Sequence, residues 1–291
     1  MPLLLICTAL LASDPWADAV VSYQAGTGAA PGYDVPATAL GPPETLTGED
    51  TATTSVVSPF SPAWRPDEVV SLGAGGAITL AFDQPVLDDP ANPWGIDLIV
   101  YGNAGFIDVA FPAGVCGGLF GADGGDISVS GDGVTWHEIS GIHADGLWPT
   151  LAWQDAGPYD EAPGEIPTDP TAAMDPALSA ADAEGLTFNE LLTLYGGAAG
   201  GAGIDLAPTG LAAISFVRIA VDADAWLSAE IDAVVDAGPW TDADLNGDGV
   251  VGVDDLLMII GAWGEQDSSA DLDQDGVVGV DDLLIVLDAW A

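Results

Sequence analysis

From Val20 to about Ala237 the chain alternates short β-prone runs with clusters of Gly, Pro and Asp. The runs are AVVSYQAG, DEVVSLG, GAITLAFDQPV, GIDLIVYGN, DISVSGDGVTWHEISG, AISFVRIAVDAD and AEIDAVVDAG. Several show the period of two that a half-buried strand requires. Ile78, Leu80 and Phe82 share one face of AITLAF, and Ile127 and Val129 share one face of DISVS. Asp132-Gly133 marks a hairpin turn, because Gly tolerates the positive φ such turns demand. Trp136, just beyond it, is placed on a strand as a core residue. Many short strands at this spacing predict a mainly β fold, an antiparallel sandwich. The alternation lapses between Gly141 and Leu206, in an insertion rich in Ala, Gly, Pro and Asp. Within it, FNELLTLYGG predicts one or two helical turns. GGAAGGAG, at 196–203, lacks the Lys-Ser/Thr of a phosphate loop and reads as a flexible crossover.

Past Asp242 the period changes. Leu256, Ile259, Ile260 and Trp263 recur at helical spacing, as do Leu283, Val286, Leu287 and Trp290. The Gly-Pro pair in DAGPWTDAD places the junction near Pro239–Thr241. The segment that follows is an internal repeat: DLNGDGVVGVDDLL begins at Asp244 and DLDQDGVVGVDDLL at Asp271, 27 residues later. Each repeat follows the EF-hand rule for calcium. Asp244, Asn246 and Asp248 stand at positions 1, 3 and 5, Gly249 at the sharp turn, the Val250 carbonyl at 7 and Asp255 at 12. The second loop offers Asp271, Asp273, Asp275, Gly276, the Val277 carbonyl and Asp282. Ca²⁺ takes six to eight hard oxygens, and alternate residues of a tightly curled loop turn theirs inward. Gly252 and Gly279 leave position 9 to a water. Two ions are therefore expected, and a metal-free tail is destabilised by its own carboxylates. Each loop leads into an apolar helix, but no amphipathic helix precedes the first.

This arrangement resembles the type I dockerin module over about 50 residues: two loop-helix repeats, Asp at position 12 and a hydrophobic residue at position 8 (Val251, Val278). The resemblance implies a small helical calcium-binding domain at 241–291 that docks into a cohesin-like or other surface protein. It also implies partner contact through positions 10 and 11, which are Val253 and Asp254 with Val280 and Asp281. Family members often carry Ser or Thr there and a basic residue on the following helix; this chain has neither.

Composition narrows the classes further. The chain carries 46 acidic residues against 2 basic ones, a net charge of −44. That surplus repels phosphate backbones and anionic membrane surfaces, which excludes nucleic acid as a partner. It matches the surface of a protein kept hydrated in a saline medium. Residues Leu3 to Ala12 form an apolar run too short to span a bilayer. With Ala17-Asp18-Ala19 behind it, the segment 1–19 reads as a signal peptide, giving a secreted, cell-surface-associated protein. No other segment is apolar enough to cross a membrane. Removal of the leader leaves Cys116 as the single cysteine and no intrachain disulfide.

Residues 20–238 carry further hints. ISVSGDGVTWHEI, FVRIAVD and EIDAVVD together resemble the discoidin-like, galactose-binding jelly roll, which implies non-catalytic binding of carbohydrate or another surface ligand. Trp94, Trp148 and Trp153 fall in loops, where a flat ring can stack on a sugar. Asp88, Asp89 and Asn92 offer oxygens for a further calcium in the sandwich, although ordinary Asx turns use the same residues. Catalysis finds less support. No spacing selects a glycosidase carboxylate pair. His137 and His143 have no recognisable nucleophile, since no G-x-S-x-G elbow surrounds Ser140. The expectation is an exported binding protein with a calcium-dependent docking tail. The alternatives are a dockerin-bearing polysaccharide hydrolase, with the 141–206 insertion shaping its cleft, and a purely structural surface protein.

Overall fold

A computed structural model describes residues 14–238, 243, 245, 251–266, 268, 270–272 and 276–290, the side chains of Asp254 and Asp288 excepted. The chain divides into two compact units, one spanning Pro15–Gly238 and the other containing Pro239–Ala291.

In the larger unit the strands are β1 Ala19–Gln24, β2 Leu46–Thr47, β3 Ser55–Val56, β4 Val70–Ser71, β5 Ala77–Leu87, β6 Leu98–Gly102, β7 Gly105–Asp108, β8 Cys116–Phe120, β9 Gly124–Ser130 and β10 His137–Asp145. Two short helices follow, α1 Ala180–Ala183 and α2 Phe188–Tyr195. Then come β11 Ala202–Ile204, β12 Ala213–Ala220 and β13 Glu230–Asp236. One sheet has the order β1-β5-β12-β9-β10 and the other β11-β6-β13-β4. Every pairing within them is antiparallel.

The period-two pattern sets the sandwich. Ile78, Leu80, Ile127, Val129, Val217 and Ile219 from the first sheet meet Val70, Leu98, Val100, Ile231 and Val234 from the second, all at most 1% exposed. Each such side chain contributes about 1.5–3 kcal/mol through removal from water. The second sheet is covered on its other face too. Ile99, Tyr101, Ala233 and Val235 pack there against Ala173 and Ala199 of the insertion. A further cluster of Phe60, Phe106, Cys116, Trp148, Leu151, Phe188, Leu191 and Tyr195 joins the β7–β8 hairpin to α2.

The insertion differs from its sequence reading. β10 continues to Asp145 and β11 re-enters the second sheet at Ala202, so the excursion is shorter than 141–206. Residues 198–202 are buried rather than a flexible crossover. Gly201 explains why: its φ is +79°, and a Cβ there would lie 2.5 Å from Ile99 Cγ2. The glycines let the chain press on the sheet. α2 is eight residues long, and the Thr187 N–H and hydroxyl both donate to Glu190 Oε2 at its start. Trp136 precedes β10 half-exposed and outside the core.

At the start of the described chain, Ala17 is 2% exposed in the main core, and its N–H bonds to Val234 O at 3.0 Å. Cleavage after Ala19 would remove this core residue.

In the smaller unit, α3 Val253–Gly261 and α4 Val280–Asp288 pack about Leu245, Val251, Ile259, Ala270, Val278 and Val286. Among the described residues no helix is long and apolar enough to cross a membrane.

Candidate functional site

The two acidic loops run directly into α3 and α4, and the carboxylate at position 12 performs two tasks. Asp255 and Asp282 are both fully buried, and each is the third residue of its helix. Gly252 N–H donates to Asp255 Oδ2 at 2.7 Å, and Gly279 N–H to Asp282 Oδ2 at 2.5 Å. Leu272 N–H donates to Asp282 Oδ1 at 2.7 Å. These bonds satisfy N–H groups that a helix start leaves without partners, and the positive end of the helix dipole favours the negative charge. A carboxylate oxygen keeps a second lone pair after accepting one such bond.

Asp271, at position 1 of the second loop, is different. Its Oδ2 accepts the Gly276 N–H at 2.9 Å, whereas its Oδ1 is buried without any hydrogen-bond partner. A buried polar atom left unsatisfied costs about 1–3 kcal/mol, more when charged. A hard cation in the loop would remove that cost, so the described Asp271 oxygen fits a calcium ligand. Asp244, Asn246, Asp248, Val250, Asp273 and Asp275 lie outside the described residues.

The helices present more apolar surface than their own core uses. Leu256, Ile259, Leu283 and Val286 turn inward. Ile260 and Trp263, expected on that same face, are 53% and 51% exposed, and Leu287 and Trp290 are 47% and 40% exposed. With Val253 and Leu257 on α3, and Val280 and Leu284 on α4, they form a second, outward stripe on each helix. The expected partner positions Val253 and Val280 stand at the head of these stripes, and Asp281 is exposed beside them. A shallow groove of about 620 Å³ is lined by Leu284, Ile285, Leu287 and Ala289.

In the sandwich, the three tryptophans expected to bind ligand have separate fates. Trp94 is 55% exposed. Trp153 packs beside Val57 and Ala152, and its Nε1–H reaches Thr45 O at 3.4 Å. Trp148 is only 6% exposed and packs at T-shaped angles against Phe106 and Tyr195, ring centroids 6.3 and 5.8 Å away, so it is too buried to offer a sugar a stacking platform. It lines a cleft of about 410 Å³ with His143, Leu147, Met174, Asp175 and Gly201.

The expected oxygen donors of the 88–92 loop are also rearranged. Asp88 lies with Asp97 and Asp205, their carboxylate oxygens within 4.8 Å of one another. Asp89 and Asn92 serve as hydrogen-bond donors to this group. The Asp89 N–H and the Asn92 amide reach Asp97 Oδ1 at 2.9 and 3.1 Å, and the Leu206 N–H reaches Oδ2 at 2.9 Å. Burial raises Asp97 above the usual carboxylate range, and the three donors oppose it. Burial, with Asp97 nearby, lifts Asp236 to about 8.

Buried carboxyls elsewhere hold loops together. Glu68 accepts Thr47 Oγ1, Gly48 N, Trp64 N and Arg65 N at 2.6, 3.2, 2.9 and 2.9 Å. Asp232 accepts the Glu44 N–H, and burial, then Glu44, pushes it well up. Glu44 itself is raised to about 7, first by burial and then by Glu68. Asp145 receives Asn103, Ala104 and Glu230 N–H groups. Sequence periodicity does not show these anchors, because an acidic residue inside a strand looks the same whether it faces water or a loop.

No protein-family model matches the chain, and no curated protein is significantly similar to it.

Proposed function

We propose that this is a non-catalytic binding protein of the cell exterior, assembled onto a surface partner through a calcium-dependent, dockerin-like tail. The observation that carries the reading is the buried, unpartnered Oδ1 of Asp271 at the first position of a loop whose twelfth residue, Asp282, is buried at a helix start. Calcium supplies the missing partner, ties the loop to α4 and thereby fixes the outward apolar stripe. The same frame in the first loop leads into α3. The partner is a cohesin-like or other surface protein that buries Val253, Asp254, Val280 and Asp281. A hydrolase at Glu44 and Asp232 has less support, since Asp232 is 1% exposed and out of a substrate's reach.

Titration calorimetry of the full chain tests the tail. Two calcium equivalents are expected in the wild type and one in Asp271→Ala, and absence of calcium heat in the wild type overturns the reading. Capture of a surface protein from the native host should be lost on chelation.

A further inference from the structure

The outer face of the first sheet holds a cation with no carboxylate within 4.0 Å among the described residues. Between the inward residues of β5, β12 and β9, the residues Thr79, Arg218 and Ser128 face outward. Strand register aligns them in one transverse row with Ser22 on β1 and Glu138 on β10: Ser22 pairs Thr79, Thr79 pairs Arg218, Arg218 pairs Ser128, and Ser128 pairs Glu138. Strands lie about 4.8 Å apart, so the row is a short polar track with Arg218 at its centre.

Arg218 is one of only two basic residues among 46 acidic ones. The other, Arg65, is fully engaged. Its Nε lies 3.0 Å from Asp67 Oδ1 and 3.7 Å from Glu68 Oε1, and its Nη1–H bonds to Glu49 O at 2.9 Å. Arg218 has no carboxylate within 4.0 Å among the described residues. Its Nε–H reaches Thr79 Oγ1 at 3.4 Å, and its Cζ sits 3.9 Å from the centre of the Trp136 ring.

The placement of that ring is built. Asp132 accepts the Val134 and Thr135 N–H groups at 2.8 and 2.7 Å and the Ser130 hydroxyl at 3.1 Å, which locks the turn that delivers Trp136 onto the sheet. Stacking orients a guanidinium and strips water from one face, leaving the edge of its rigid donor fork for a planar acceptor. A carboxylate matches that fork with two parallel bonds.

The surroundings restrict what can bear the carboxylate. Glu138 ends the row, and Asp126, on the same outward face of β9, stands 3.5 Å from His143 Nδ1. These acids, with a net charge of −44, repel a polyanion. Repulsion is cut beyond about 8 Å at physiological salt, so a single carboxylate on a neutral frame still reaches Arg218. The Ser128 hydroxyl beside the guanidinium, and the Ser22 hydroxyl two strands away past Thr79, suit a polyol. We propose that Arg218, stacked on Trp136, anchors a carbohydrate-binding face that takes a uronic-acid residue of an otherwise neutral glycan.

Two arginines give two Nε–H resonances in a ¹⁵N correlation spectrum, and Arg65→Lys identifies which is which. The probe is an aldobiuronic acid, one uronate joined to one neutral sugar, titrated into the calcium-loaded full chain at about 0.15 M salt. The Arg218 resonance should shift saturably and the Arg65 resonance should stay. The carboxyl-reduced disaccharide should move neither, and acetate should need at least about tenfold more ligand. Arg218→Lys keeps the charge but loses the fork, and should weaken binding about tenfold, or about 1.4 kcal/mol. A stationary Arg218 resonance up to about 10 mM probe overturns the proposal, as does an equal response to acetate. Because the decisive signal comes from the wild type, misfolding of a variant does not obscure it. The calcium heats of the tail are read separately, so failure of either proposal leaves the other standing.

Discussion

Gly201 shows how one residue can mislead a reader of sequence. Embedded in GGAAGGAG it looks like slack, yet its missing side chain lets the insertion lie on Ile99 and Tyr101. Gly201→Ala should destabilise the sandwich by about 2–4 kcal/mol, combining a strained positive φ with overpacking, as read from urea unfolding of the full chain. Asp132 is the opposite case. Its hairpin was legible in Asp-Gly, and the structure adds only that backbone donors hold its carboxyl at about 2. Trp136 was legible as part of that hairpin but not in its packing, because alternation marks which residues leave the core and not what they meet outside. The acidic repeat was legible because the EF-hand rule places oxygen-bearing residues at fixed intervals. The unpartnered Asp271 oxygen required coordinates.

At the scale of elements, strands inside the β-prone runs were visible, even the two-residue β4 in DEVVSLG, whereas β2, β3, β7, β8 and β11 were not. β2 and β3 have two residues each, too few for any period. The β7–β8 hairpin is built from GFIDVAFPAGVCGGLF, where glycines and consecutive apolar residues hide its pleat. In α3 and α4 the apolar positions were legible as helical spacing, but that spacing did not show that they divide into an inward and an outward stripe. That division gives a separable test. Leu257→Asp with Leu284→Asp changes residues that are 56% and 53% exposed. The double variant should abolish capture of the partner while keeping both calcium heats and the melting temperature of the tail. Loss of calcium binding would instead mean that the stripes belong to the fold.

Over the whole molecule, the two units respond to acid in opposite senses. In the sandwich, Glu44 is raised from 4.5 to about 7 and Asp236 from 3.8 to about 8, each chiefly by burial. A carboxyl whose folded pKa lies above its unfolded one contributes stability that is complete below the unfolded value and lost as pH rises through the folded value. The sandwich should therefore lose stability between about pH 4 and pH 8, and self-repulsion of the ionised surface acts in the same direction. The proposed calcium ligation needs ionised carboxylates, so on that proposal the tail should gain stability over that range when calcium is present. Calorimetric scans at several pH values with saturating calcium should show two transitions moving in opposite directions. The mainly β, antiparallel character was readable in advance; the second layer was not, because Ala173 and Ala199, which cover the far face of the second sheet, sit in sequence that alternates with nothing. The neighbouring cluster between the β7–β8 hairpin and the insertion carries its own clock. Cys116, 1% exposed where β8 meets the Gly185–Leu186 backbone, has its thiol pushed up to about 11, first by burial. At neutral pH it is inert while covered, so the rate at which a thiol reagent marks it counts how often the insertion lifts from the sandwich.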